Sequence, residues 1–309
     1  MKYVTFQTRE GKVSAGWLQE NSLVVDMNVV SNGKLPSTLQ AFLEDYEQNT
    51  LIIEELPVFD QVCKGVHSLT DVTLLAPLPR PVSIRDFYAF EQHVKTSRSR
   101  RGLDVIPEWY DFPVFYFTNH LAVKGPDEEI ERPPGCKWLD YELEIACVIG
   151  KQGRDITASD AEDYIFGYFI MNDWSARDIQ REEMKVGLGP AKGKDFATSF
   201  GPYLVSKEEL ELYRHDEVYD LEMRATVNGK LLSKGNLKDI YYSFGEMIER
   251  ASKGVTLYPG EVIGSGTVGT GCILELGTEV HRWLEPGDEV EFSIEGLGTL
   301  KNTIVEGRR

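Results

Sequence analysis

The sequence predicts a mixed, mainly β fold with short helices, preceded by a small N-terminal α+β unit. Three observations carry this. Most of the chain beyond residue 80 reads as alternating strands broken by Gly-rich turns. A helical pattern, "TLQAFLEDYEQNTLIIEEL", falls within the first 72 residues. Between the two lies "LLAPLPRPVSI", whose prolines at 77, 79 and 81 enforce an extended connection and forbid a helix. The expected division is therefore a small N-terminal domain over 1–72 and a main domain over 73–309.

Taken in order, "KYVTFQT" and "VSAGWLQENSLVVDM" read as hairpin strands that open the small unit, and the helical pattern closes it. In "LDYELEIACVIG" (139–150), Leu139, Tyr141, Leu143, Ile145 and Cys147 alternate onto one face of a strand. "YFIMNDWSARDIQ" runs an apolar strand into Asp173, where a helix is expected to start. "GEVIGSGTVGTGCILELG" is expected to place Thr267 in a turn and Glu275 in an apolar strand. At the end, "PGDEVEFSIEGLGTLKNTIVEG" is a two-strand pattern divided by Gly-Leu-Gly.

Fifty acidic against 33 basic residues give a net charge of −17, which argues against nucleic acid or anionic membranes as partners. Any anionic substrate then needs a local positive site. Cys63, Cys136, Cys147 and Cys272 form no CxxC pair, so buried reduced thiols are expected, neither disulfides nor a zinc site. The start, "MKYVTFQTRE", has no apolar signal-peptide core, and no run of 18 apolar residues occurs. A cytoplasmic protein is the expectation.

The opposite face of the 139–150 strand poses a problem. It carries Asp140, Glu142 and Glu144 before Ala146 and Val148 turn it apolar again. Alternate residues lie about 6–7 Å apart, so Glu142 and Glu144 can address one point. Two buried carboxylates need a cation or a shared proton; a strand with one wetted face needs neither. Both readings stay open on the residues alone. Downstream, Asp173, Arg177 and Gln180 fall at helical spacing, which fits either a capped helix with an internal ion pair or a polar site. "GLGPAKGKDFATSFGP" imitates a phosphate loop but fails its pattern. Leu188 stands where Gly is needed, and Asp195 follows Lys194 where Ser or Thr is needed. Nucleotide binding is rejected.

The ordered segments "RDFYAFEQH", "LDYELEIACVIG", "MNDWSARDIQ", "GKDFATSFGP", "GSGT…ILELG" and "PGDEVEFSIEGLGTLKNTI" resemble the fumarylacetoacetate hydrolase (fumarylacetoacetase) family over roughly residues 75–305. The resemblance implies a β-sandwich or roll that holds one divalent cation through Asp86, Glu142, Glu144 and Asp173, with Asp140 either behind them or facing water. Such an oxygen set suits Mg²⁺ first, with Mn²⁺ or Ca²⁺ also compatible, and disfavours zinc.

By the same resemblance, His93 and Glu275 pair to activate water, and Lys194, Arg177 and Gln180 surround the developing charge. Tyr88, Tyr116 and Thr267 match substrate-contacting positions. "HVKTSRSRRG" is either a solvated basic loop or a lid, with Arg101 the best match for a substrate carboxylate. The activity implied is hydrolysis of a carbon–carbon bond in a 1,3-diketo acid through a metal-stabilised enolate. The alternative is a lyase, decarboxylase or hydratase acting on a 2-oxo dicarboxylate such as oxaloacetate, and a non-catalytic carboxylic-acid binder is a third. Smaller relatives place a Glu three residues after the lid His, where this chain has Thr96; that favours the hydrolase. Homodimers are usual in the family, and one is expected here.

Overall fold

A computed structural model describes residues 1–215 and 218–307. Its strands are β1 (Lys2–Thr8), β2 (Val13–Gln19), β3 (Leu23–Asp26), β4 (Val66–Ser68), β5 (Val72–Leu75), β6 (Ile84–Phe87), β7 (Phe115–Phe117), β8 (Val123–Lys124), β9 (Glu129–Arg132), β10 (Leu139–Asp140), β11 (Leu143–Ile149), β12 (Ile165–Asp173), β13 (Ser175–Ala176), β14 (Thr198–Ser206), β15 (Glu222–Val227), β16 (Lys230–Asn236), β17 (Val262–Gly264), β18 (Glu289–Ile294) and β19 (Gly298–Glu306), together with some two-residue pairs. The helices that matter are α1 (Leu39–Leu43), α2 (Tyr46–Glu54), α3 (Glu91–Arg100), α4 (Arg177–Glu183), α5 (Phe244–Ser252) and α6 (Ile273–Leu276).

One long sheet runs β4-β3-β2-β1-β14-β12-β11-β17-β6-β7, with β5 beside β1 and β8 beside β14. A second sheet runs β16-β15-β18-β19-β9. Strand β11 is buried along its whole length. Its Leu143, Ile145, Cys147 and Ile149 pack in one core with Met223, Val290, Phe292 and Leu300 of the second sheet. Its other face, Ala146 and Val148, shares a core with Phe169 and Met171 of β12 and with Leu39, Phe42 and Leu43 of α1. Apolar cover on both sides explains why no face of this strand meets water.

The N-terminal strands do not form a sheet of their own. β1 pairs antiparallel with β14, Tyr3 opposite Leu204, so the long sheet continues through them. The boundary expected after residue 72 falls within β5, whose Leu75 pairs with Thr5 of β1.

Three local expectations need correction. Asp173 ends β12 and does not begin a helix; α4 starts at Arg177. Ser175 and Ala176 pair with Asp140 and Leu139, and this tertiary pairing overrides the helical spacing. Glu275 lies on α6 rather than in a strand. The carboxylate of Asp140 accepts the Ile273 and Leu274 amides at 2.8 and 3.0 Å and so caps that short helix. The basic segment after His93 is helical, as α3, with Lys95 paired to Glu91 at 2.8 Å one turn earlier.

Candidate active site

Strand register assembles the first half of the site. In the order β6-β17-β11-β12, Asp86 pairs with Gly264, Gly264 with Ala146, and Glu144 with Met171. Asp86, Glu144 and Asp173 lie two residues from Ile84, Ala146 and Met171 and share their side, so all three point to the α1 face of the sheet. They offer one carboxylate oxygen each, all within 4.8 Å of one another. Gly264 is what lets them meet, since a Cβ there would lie 2.5 Å from Asp86 Oδ1.

These three carboxylates are buried, and Asp86 Oδ1, Glu144 Oε2 and Asp173 Oδ1 have no hydrogen-bond partner among the described residues. Burial raises the pKa of Asp86, and the charge of Asp173 adds to it. Burial likewise raises Glu144, reinforced by Asp86 and Glu142, and it raises Asp173 against the pull of Lys194. Buried, unpartnered carboxylate oxygens grouped in this way fit the donor set of a hard divalent cation.

Glu142 is adjacent but answered differently. Its Oε1 accepts from Arg177 Nη2 at 2.7 Å, and its Oε2 accepts from the Lys194 ammonium, which also bonds Asp173. Burial would raise the Glu142 pKa, yet Arg177 and Lys194 outweigh it and hold the group below the usual carboxylate range. Burial would lower the Lys194 pKa, but Asp173 and Glu142 overcome it and keep the ammonium protonated. Asp140, fully buried, accepts from Arg177 Nε at 2.9 Å. Five buried carboxylates therefore face two buried cations, and the excess of acidic groups sits where Asp86, Glu144 and Asp173 converge.

The second half lies outside the sheets. Glu275 Oε1 takes the His93 Nδ1 contact, and its Oε2 accepts the Thr270 amide at 3.0 Å. Both residues are buried. The Tyr88 ring meets the imidazole edge-on at 5.3 Å, and its hydroxyl lies 2.7 Å from Ser97 Oγ. With Nδ1 held, Nε2 is the nitrogen left for proton transfer.

The remaining sequence candidates fall around these halves. Tyr116 donates to Asp173 at 2.5 Å, and Thr267 donates to Glu144 at 3.3 Å. Gln180 Oε1 accepts from Arg177 Nη1 at 3.3 Å. Arg101 is exposed at the end of α3, its Nε donating to the Ser97 carbonyl at 3.0 Å. Sequence reasoning missed two contributors. Asn172 Oδ1 fixes the Glu142 amide at 3.0 Å, and Arg100 ties α3 to α6 through the Glu275 and Leu276 carbonyls at 3.2 and 3.0 Å. Asn172 was readable beside Asp173; nothing in the sequence links Arg100 to a residue 175 positions away.

Residues 83–305 match the profile of the fumarylacetoacetate (FAA) hydrolase C-terminal domain. The chain belongs to the fumarylacetoacetate hydrolase family. It is 33% identical over 248 residues to oxaloacetate tautomerase YisK of Bacillus subtilis, covering 79% of this chain and 77% of that one. It is 30% identical over 318 residues to fumarylacetoacetase of Arabidopsis thaliana, covering 83% and 74%. Among solved structures, maleylpyruvate hydrolase of Sphingobium sp. SYK-6, in complex with manganese(II) and pyruvate, superposes with a TM-score of 0.73 at 22% identity, covering 100% of both chains. That likeness bears on the fold. Among the described residues, no helix is long and apolar enough to cross a membrane.

Proposed function

We propose that this protein is a divalent-metal-dependent hydrolase that cleaves a carbon–carbon bond in a 1,3-diketo acid of the acylpyruvate or fumarylacetoacetate kind. The observation that carries the reading is the buried His93–Glu275 pair beside an oxygen-only carboxylate cluster. Hydrolysis needs an activated water, and a base with an orienting acid supplies one.

The cluster fits a hard cation. Asp86, Glu144 and Asp173 would hold it, with Glu142 proposed as the fourth ligand, and Mg²⁺ is the first choice ahead of Mn²⁺ or Ca²⁺. When bound, the cation supplies Lewis acidity that lowers the energy of a charged dicarbonyl. His93 then takes the proton of water at Nε2 while Glu275 keeps Nδ1 protonated and the ring aimed. The water oxygen bonds to the distal carbonyl carbon. The carbon–carbon bond breaks, leaving its electron pair on the 2-oxo fragment, which acquires a proton to complete the reaction. Lys194, held charged, and Arg177 with Gln180 stabilise the negative charge as it moves. Tyr88, Tyr116 and Thr267 shape the substrate pocket, and Arg101 on the α3 lid receives the substrate carboxylate.

A second reading is favoured by YisK, whose name describes an oxaloacetate tautomerase. Keto–enol exchange of a 2-oxo dicarboxylate uses the same proton-handling pair without attack by water. The deciding experiment supplies purified protein and Mg²⁺ with an acylpyruvate and, separately, with enol-oxaloacetate. Release of pyruvate from the first supports the hydrolase. Ketonisation of the second with no cleavage of the first replaces it with the tautomerase. We further propose a cytoplasmic homodimer, in keeping with four unpaired cysteines; sedimentation velocity checks the assembly.

A further inference from the structure

The thiol of Cys272 is fully buried and has no part in the reaction derived above. Its Sγ lies 3.7 Å from Glu275 Oε1, the oxygen that also faces His93 Nδ1. Sulfur, imidazole nitrogen and carboxylate oxygen all lie within 4.8 Å of one another. We propose that Cys272, His93 and Glu275 form a second cation site, selective for thiophilic divalent ions of the zinc class, whose occupation stops turnover.

The donor chemistry separates this site from the carboxylate cluster. Asp86, Glu144 and Asp173 offer only oxygen and select hard ions, whereas one sulfur, one nitrogen and one oxygen form a borderline-soft set. Three such ligands with an open fourth position are the pattern of tetrahedral zinc. With zinc–sulfur bonds of about 2.3 Å and zinc–oxygen bonds of about 2.1 Å, the tetrahedral sulfur–oxygen separation is about 3.6 Å. The observed 3.7 Å is already there. The His93–Glu275 contact must open, to about 3.4 Å on the same arithmetic.

The frame is fixed before an ion arrives. Cys272 and Glu275 sit on one short turn whose first amides are pinned by Asp140. His93 rides on α3, which Arg100 fastens to the same turn. Burial, aided by the charge of Asp140, raises the Cys272 pKa well above its ordinary value. Binding ionises the S–H bond, forms a sulfur–metal bond and releases that proton to solvent, while the imidazole proton moves from Nδ1 to Nε2 to free Nδ1 as a ligand, with no change of oxidation state. A weakly thiophilic ion such as Mg²⁺ gains too little from sulfur to drive that exchange. An ion seated here takes Nδ1 and Oε1 from each other, so the imidazole loses its orienting partner. This inhibitory half rests on the dyad reading given above; the binding half does not.

The test uses the full chain with Mg²⁺ in excess, titrated with Co²⁺ as a spectroscopic stand-in for Zn²⁺. A thiolate-to-cobalt charge-transfer band saturating at one equivalent is expected, together with loss of acylpyruvate turnover when Zn²⁺ is used. Cys272→Ser should abolish the band and weaken Zn²⁺ inhibition by more than about tenfold, while turnover in Mg²⁺ alone is retained. Cys272→Ala should give the same two losses with a smaller side chain. No band in the parent chain, or a band that survives both substitutions, overturns the proposal. A band that Cys272→Ser removes, without any loss of turnover, leaves the cation site standing and defeats the dyad reading instead.

Discussion

The carboxylate cluster and the His93–Glu275 pair are built in contrasting ways. Asp86, Glu144 and Asp173 sit at the ends of strands in one continuous sheet, their positions set by backbone register, and each keeps an oxygen without a partner. His93 and Glu275 sit on separate helices, and the pair is satisfied: Nδ1 on Oε1, Oε2 on an amide. A sheet holds repelling charges together because its ladder of hydrogen bonds resists their separation. Helices outside it must be tied by side chains, here Asp140 and Arg100. The first half is thus strained until something joins it, and the second is complete but only as well placed as its ties.

The sharpest way to break this contrast is Asp86→Asn. Turnover should fall by about 10³-fold or more, the rate equivalent of several kcal/mol of lost electrostatic assistance. Without added cation the variant should melt higher than the parent, because one repelling charge is gone, and Mg²⁺ should no longer raise its melting temperature. Thermal scans with and without EDTA check both signs. A variant that melts lower without cation would contradict the strain assigned to the cluster.

His93→Ala should lower turnover by about 10²- to 10⁴-fold while leaving Mg²⁺ affinity, read by calorimetry, within twofold of the parent. Equal loss of both would mean the halves are not separable. Asp140→Asn tests the tie between them. Arg177 and the first turn of α6 lose their shared anion, so turnover should drop about 10- to 100-fold, with a shifted pH profile and little change in KM. Loss confined to stability, with an unmoved pH profile, would reduce Asp140 to a structural residue.

The smallest effect concerns pH. Asp86, Glu144 and Asp173 have folded-state pKa values above those of the unfolded chain. Their contribution to stability is fully present below about pH 4 and is lost as pH rises through the raised values. In EDTA the parent should therefore lose stability relative to Glu144→Gln between pH 5 and 8, by at most about 1.4 kcal/mol per pH unit for the one group removed. Parallel urea melts of the two proteins measure it, and saturating Mg²⁺ should reverse the trend.

The same contrast decides what was legible in the chain. The pattern in 139–150 already showed acids ahead of an apolar continuation, and the structure buries all three, but the single strand it suggested divides into β10 and β11 with Tyr141 and Glu142 between them. The terminal hairpin and the β1–β2 pairing also followed from local pattern. What failed was local reasoning about non-local ties. Asp173 followed by Arg177 looks helical until pairing with Leu139 and Asp140 is known. "ILEL" looks like a strand until a carboxylate from residue 140 caps it. The His93–Glu275 pair spans 182 positions, and only the family resemblance connected its members.

The pairing of Tyr3 with Leu204 has a practical side. Trimming the polypeptide to its recognisable family segment would strip the neighbour from β14 and bare a row of amides and carbonyls two strands from Glu144. Such a shortened product should clump, and swapping in another leader would succeed only if that leader supplied an edge of matching hydrogen-bond spacing.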